Sequence, residues 1–140
     1  LGFNYRLTDI QSALGITQLA KNNKGVEKRN SIAEKYKRAF DGKIKCQALP
    51  EGSLNAHHLF VIEIENRKDF YDYLKKKNIY AQIHYIPVHY LPYYKRIGYE
   101  KADLNSAQNY YENCISLPMY PSLKDSEQDF VIEKTLEFNE

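Results

Sequence analysis

Apolar residues recur at helical spacing in the first third of the chain, at strand spacing in its middle, and at helical spacing again near its end. Ile10, Ala13, Leu14 and Thr17 predict a helix opening after Thr8. Thr8 with Gln11 three residues on reads as a capping box, and Asp9 sits on the positive end of the helix dipole. Asn22-Asn23-Lys24-Gly25 reads as a break. Val26, Arg29, Ala33, Tyr36 and Phe40 then predict a second, amphipathic helix over about 26–40, ended by Asp41-Gly42.

The middle of the chain changes period. A short strand is expected near Ile44 to Gln47, and the 49–53 stretch is a loop by composition. His57 to Ile64 is the best strand, with Phe60, Ile62 and Ile64 on one side and Leu59, Val61 and Glu63 on the other. Asn66 is positioned to cap a helix from Arg67 to Lys77, buried through Phe70, Tyr73 and Leu74. Tyr80 to Tyr85 reads as another strand. Pro87 and Pro92 force an irregular path beyond it, with a short helical turn over Pro92 to Ile97. Asp103 to Asn113 reads as a helix facing inward through Ala107, Tyr110 and Cys114, followed by an extended Ile115 to Leu117. Asp125 with Gln128 reads as a second capping box, opening a final helix that carries Val131, Ile132, Thr135, Leu136 and Phe138. Few strands separated by helices predict an α+β fold: a small, mostly antiparallel sheet covered by helices.

Composition narrows the function classes. The 140 residues are 43% hydrophobic and 27% charged, as in an ordinary globular domain. A net charge of +2 gives no basic stripe for nucleic acid, and no apolar run approaches a membrane span. Cys46 and Cys114 form no C-x-x-C pair and read as reduced structural thiols. His84 and His89 lack a third ligand at metal-binding spacing. His57 and His58 are neighbours on opposite sides of a strand, so no metal site is expected. Thirteen tyrosines with no tryptophan fit half-buried packing or a polar ligand cleft. The exposed-looking Lys21, Lys24 and Lys28 have nothing around them to activate an amine.

The order Gly2-Phe3-Asn4-Tyr5-Arg6-Leu7-Thr8-Asp9-Ile10-Gln11, running on to Ala13-Leu14-Gly15, resembles a signature of the DegT/DnrJ/StrS family of pyridoxal-phosphate sugar aminotransferases. Two further stretches resemble it in the same order: His84-Tyr85-Ile86-Pro87-Val88-His89-Tyr90-Leu91-Pro92-Tyr93-Tyr94, and Ile115-Ser116-Leu117-Pro118-Met119-Tyr120-Pro121-Ser122-Leu123. The likeness runs essentially from end to end. It is similar to the branch that aminates a nucleotide-linked keto sugar on the pseudaminic-acid pathway.

The resemblance implies the C-terminal part of such an enzyme, in keeping with a first residue that is Leu1 and not Met. Residues 1–40 would be an interface strip with linking helices, and 41–140 a small α+β domain. The Schiff-base lysine and the carboxylate facing the pyridinium nitrogen would lie upstream, so no catalytic residue is expected within this chain. Asn4 would reach the cofactor phosphate of the neighbouring subunit in a homodimer, with Arg6 as a second phosphate contact. His84, Tyr85 and His89 would line the sugar-nucleotide side of the cleft, although Leu91 stands where the family commonly has a glutamine. Pyridoxal 5'-phosphate is the implied cofactor, glutamate the amino donor, and the cytoplasm the compartment. Two other readings stay open. One is a dehydratase of the same fold. The other is a non-catalytic binding module using Tyr90, Tyr93, Tyr94 and Tyr99 with Lys95 and Arg96 as a stacking surface.

Overall fold

The computed structural model describes residues 2–3, 5–99 and 103–139. Its largest element is one helix, α1 (Asp9–Phe40), where the sequence predicted two. The expected break at 22–25 is absent. Asn and Gly weaken a helix interior by no more than about 1 kcal/mol each, and no proline interrupts the ladder. Thr8 caps the helix as expected, accepting from the Gln11 N–H while the Gln11 side chain accepts from the Thr8 N–H.

Burial divides α1 into two halves. Ile32, Ala33, Tyr36 and Phe40 enter the core, whereas nothing in the first half is buried. The helix ends at Asp41, and Gly42 follows with φ of +66°, the left-handed conformation that glycine adopts without a Cβ clash.

A three-stranded antiparallel sheet follows in the order β1 (Lys45–Cys46), β2 (Phe60–Glu63), β3 (Cys114–Leu117). Phe60 pairs with Leu117, Val61 with Ser116, Ile62 with Ile115 and Glu63 with Cys114. Phe60, Ile62, Ile64, Ile115 and Leu117 pack with Tyr36, Phe40, Phe70 and Leu74 in a single core. The predicted 57–64 strand is shorter at its start, because His57 takes a positive φ of 47°.

Helix α2 (Arg67–Lys76) buries Phe70 and Leu74 and leaves Tyr73 half-buried. Asn66 precedes it in the left-handed conformation and makes no side-chain cap. Its carbonyl instead accepts from the Asp69 and Phe70 N–H groups. A 3₁₀ turn (Val88–Tyr90) and the short α3 (Pro92–Arg96) carry the chain past its prolines.

Helix α4 (Asn105–Asn113) contains no buried residue, so Ala107 and Tyr110 do not face the core as predicted. Cys114 is buried as predicted, but as the first residue of β3, paired with Glu63. The last helix, α5 (Asp125–Asn139), buries Val131 and Thr135. Its start differs from the predicted capping box. Asp125 is already helical, Glu127 accepts from the Lys124 N–H, and the Gln128 amide is buried, donating to the Ile32 carbonyl at 2.8 Å. The α+β expectation holds: helices cover a small antiparallel sheet.

Candidate functional site

Two regions carry the residues singled out above. The first is the strip ahead of α1. Asn4 lies outside the described residues. Arg6 is exposed, in the extended segment that leads into the Thr8 cap. Phe3 and Tyr5 stack on each other with ring centroids 5.3 Å apart and stay open to solvent.

The second region is a groove of about 810 Å³ at the edge of the sheet. It opens between the extended 78–84 segment, the β3–α5 connection and the first turns of α5. The sequence predicted a strand over 80–85. One bridge forms there, in which Gln82 N–H donates to Ser116 O at 3.1 Å and Ser116 N–H donates to Gln82 O at 2.7 Å. The next partner along the ladder would be Pro118, which has no N–H to give, and the ladder stops there. Strand alternation persists in the side chains. Tyr80, Gln82 and His84 line the groove, while Ala81 between them is buried in the core.

His84 is held across this bridge, with Nδ1 2.8 Å from the Oγ of buried Ser116. If the hydroxyl donates to Nδ1, Nε2 carries the proton and is a donor. If Nδ1 donates, Nε2 is an acceptor. Either form offers one polar nitrogen among the apolar walls of Leu59, Met119 and Phe130.

Arg29 closes one end of the groove. Its Nη1 donates to three main-chain carbonyls, those of His57 at 3.1 Å, His58 at 3.3 Å and Met119 at 3.0 Å. It thereby ties α1 to the 57–58 turn and to the chain leaving β3. The sequence reading placed Arg29 in the apolar register of α1 but assigned it no task. An arginine in that register was the signal for a half-buried carbonyl clamp.

The structure separates the three predicted substrate residues. His84 lines the groove. Tyr85 is exposed, edge-on to the His84 ring at 4.7 Å. His89 is buried in the 3₁₀ turn, its ring 4.2 Å from that of Tyr90. Tyr90 in turn donates its hydroxyl to Gln108 at 2.7 Å and lies under the Lys95 ammonium. His57 and His58 do not flank a strand. His57 is buried, its N–H donating to the Asn55 side chain at 2.8 Å, and burial with nearby Lys37 lowers its pKa.

Burial raises the pKa of both cysteine thiols. Among the described residues no three His, Cys, Asp or Glu side chains gather as a metal site, and no helix is long and apolar enough to cross a membrane.

This arrangement, a strip and long helix leading into a helix-covered antiparallel sheet, is the C-terminal third of a known enzyme architecture. Residues 1–136 match the DegT/DnrJ/EryC1/StrS aminotransferase family, and the chain belongs to it. It is similar to the spore coat polysaccharide biosynthesis protein SpsC of Bacillus subtilis, at 38% identity over 94% of this chain and 36% of SpsC. Among solved structures it is similar to Helicobacter pylori PseC, an aminotransferase involved in the biosynthesis of pseudoaminic acid. The TM-score there is 0.87 at 30% identity, over 98% of this chain and 38% of that one. The sugar aminotransferase Spr1654 of Streptococcus pneumoniae in its PLP form gives a TM-score of 0.89 at 28% identity, over 96% of this chain and 36% of that one. The chain thus spans little more than a third of the length of the relatives it matches.

Proposed function

We propose that the full-length protein is a pyridoxal-phosphate-dependent aminotransferase of the cytoplasm. It moves an amino group from glutamate to a nucleotide-linked 4-keto-6-deoxy sugar, for surface or flagellar glycan synthesis. The observation that supports this most is the family match over residues 1–136, together with the backbone likeness to PseC over nearly the whole chain.

When bound, the cofactor supplies the aldehyde that accepts the amino group and the ring that draws electrons from the reacting carbon. This chain's residues fit two of its needs. The Arg6 guanidinium, on an exposed strip, has the fork geometry for a phosphate, and Asn4, two residues earlier in the sequence, would supply a neutral amide donor. His84, fixed by Ser116, offers a polar nitrogen for the sugar nucleotide, with Tyr85 and His89 in the adjoining segment.

In this reading residues 1–40 are the part that meets the neighbouring subunit of a homodimer, and 41–140 the small domain. The division is one of task, since Ile32 to Phe40 belong to the small domain's core.

Two measurements test the reading. Full-length protein with cofactor, glutamate and a nucleotide-linked 4-keto-6-deoxy sugar is expected to release 2-oxoglutarate and the amino sugar; no turnover with any such sugar would reject it. Borohydride reduction of the 140-residue chain with pyridoxal phosphate is expected to label lysines only sparsely and at many positions. A single stoichiometric lysine would show that the amine-bearing group lies in this chain after all.

A further inference from the structure

Ser116 carries the one hydroxyl of β3. Ile115 and Leu117 on either side of it belong to the core, while Ser116 faces the groove. Its N–H and carbonyl are both engaged by Gln82 across the bridge. Gln82 and Ser116 are a cross-strand pair, and His84, two residues beyond Gln82, is the diagonal neighbour on the same face. That placement brings His84 Nδ1 to 2.8 Å from Oγ. Among the described residues Oγ has no second hydrogen-bond partner.

A count of protons gives this bond a direction. A serine hydroxyl carries one proton and two acceptor pairs, and a neutral imidazole carries one proton on one of its two nitrogens. If Nδ1 held that proton and donated it to Oγ, the hydroxyl proton of a residue only 5% exposed would have no acceptor. If the hydroxyl donates to Nδ1, its proton is used. The imidazole proton then sits on Nε2, at the ring edge away from Ser116, in the groove that His84 lines. What is left over is a lone pair on Oγ, and an unfilled acceptor is the cheaper omission in a buried site.

We propose that Ser116 is a positioning residue which, through Nδ1, fixes His84 as an Nε2–H donor to the ligand in the groove. The inference deepens the substrate role proposed above for His84 and rests on that role for the ligand alone. The bond made by one ring nitrogen sets the proton on the other, so the hydroxyl chooses what His84 can recognise. The ligand atom it meets is an acceptor oxygen of the nucleotide sugar, and a group able only to donate is refused. The charged side chains that line the groove are otherwise engaged: Arg29 Nη1 holds three carbonyls, and Glu127 accepts from the Lys124 N–H. That leaves the neutral Nε2–H as a donor aimed between the apolar walls of Leu59, Met119 and Phe130.

Solid-state ¹⁵N NMR on the full-length protein, labelled only at Nδ1 of its histidines, reads the tautomer without any turnover. The sample is held at about pH 8.5, where an ordinary imidazole is neutral. His84→Gln identifies the His84 signal by difference. The expected result is an unprotonated Nδ1 in the wild type. Its resonance should move in Ser116→Ala, where the nitrogen loses its donor, and return in Ser116→Thr, which keeps the hydroxyl. A protonated His84 Nδ1, or a resonance that Ser116→Ala leaves in place, overturns the proposal. In steady-state assays Ser116→Ala is expected to raise KM for the nucleotide sugar about two- to tenfold, the share of one hydrogen bond, with kcat per bound cofactor held. Loss of kcat alongside KM would make Ser116 a structural residue and overturns the proposal too. A protein that turns over no such sugar sinks the transamination reading, while the NMR result still decides the tautomer.

Discussion

At the scale of single residues, this domain is held by polar side chains doing work at main-chain atoms. Arg29 and Tyr36 donate to carbonyls outside any ladder, those of residues 57, 58 and 119 and of Pro118, and Gln128 gives the helical Ile32 carbonyl a second donor. Such groups are costly to bury unpaired, so they fix where irregular segments meet helices. His57 is the residue whose burial has a pH signature. Burial comes first and Lys37 second in lowering its pKa below 6.5, with Glu34 opposing. The unfolded chain therefore binds a proton that the folded chain resists. Stability is expected to be flat above about pH 6.5, then to fall as the pH drops through the folded value. Denaturant unfolding between pH 7 and 5 measures the slope. His57→Asn, a residue that tolerates the positive φ of 47° at this position, should remove most of it. An unchanged slope in the variant would assign the titration to another group. The Glu137 carboxyl, lowered first by its bond to Lys134, acts in a separate window, below the ordinary carboxylate value of 4.5.

At the scale of elements, the central question is the continuity of α1. Gly25 sits mid-helix where a break was expected, its φ is not positive, and a Cβ there would meet only Pro121 Cγ at 3.8 Å, an ordinary contact. Alanine at such a position removes unfolded-chain entropy without strain. Gly25→Ala is expected to stabilise the domain by about 0.5–1 kcal/mol in urea unfolding. Destabilisation would mean that the 22–25 stretch departs from helix in solution. Sequence pattern read most elements of this fold well, for a reason visible in them. Thr8 is read from local chemistry alone, and Phe70, Leu74, Val131 and Thr135 are positions where local pattern and tertiary packing agree. It failed where packing overrode local signals. Asn-Asn-Lys-Gly stayed helical, Gln128 left its expected cap for the core, and α4 kept a wet surface under its apolar pattern. The candidate site was legible only as segments. Spacing put His84, Tyr85 and His89 in one stretch, but the bridge from Gln82 to Ser116 sends His84 to the groove, while His89 turns under Tyr90. That fork rests on the bridge, a contact between segments more than thirty residues apart in the chain.

At the scale of the whole molecule, α1 joins two regions of unequal stability. Its second half shares the core with the sheet, α2 and α5, so its hydrogen bonds break only when the domain unfolds. Its first half has no buried residue and must stand on helix propensity and one capping box. An isolated stretch of that length is marginal in water. The helix should therefore open from its N-terminus in a separate, low-energy step. Amide hydrogen exchange at concentrations dilute enough to keep the chain monomeric tests this. Amides from about residue 12 to 22 are expected to exchange with little protection, while those of 33–40 approach the protection of β2 and β3. Thr8→Ala, which removes a cap worth about 0.5–2 kcal/mol, should speed exchange in the first turns yet leave the thermal midpoint of the domain unchanged. Uniform protection along α1 in the dilute monomer would mean that the helix is a single cooperative rod.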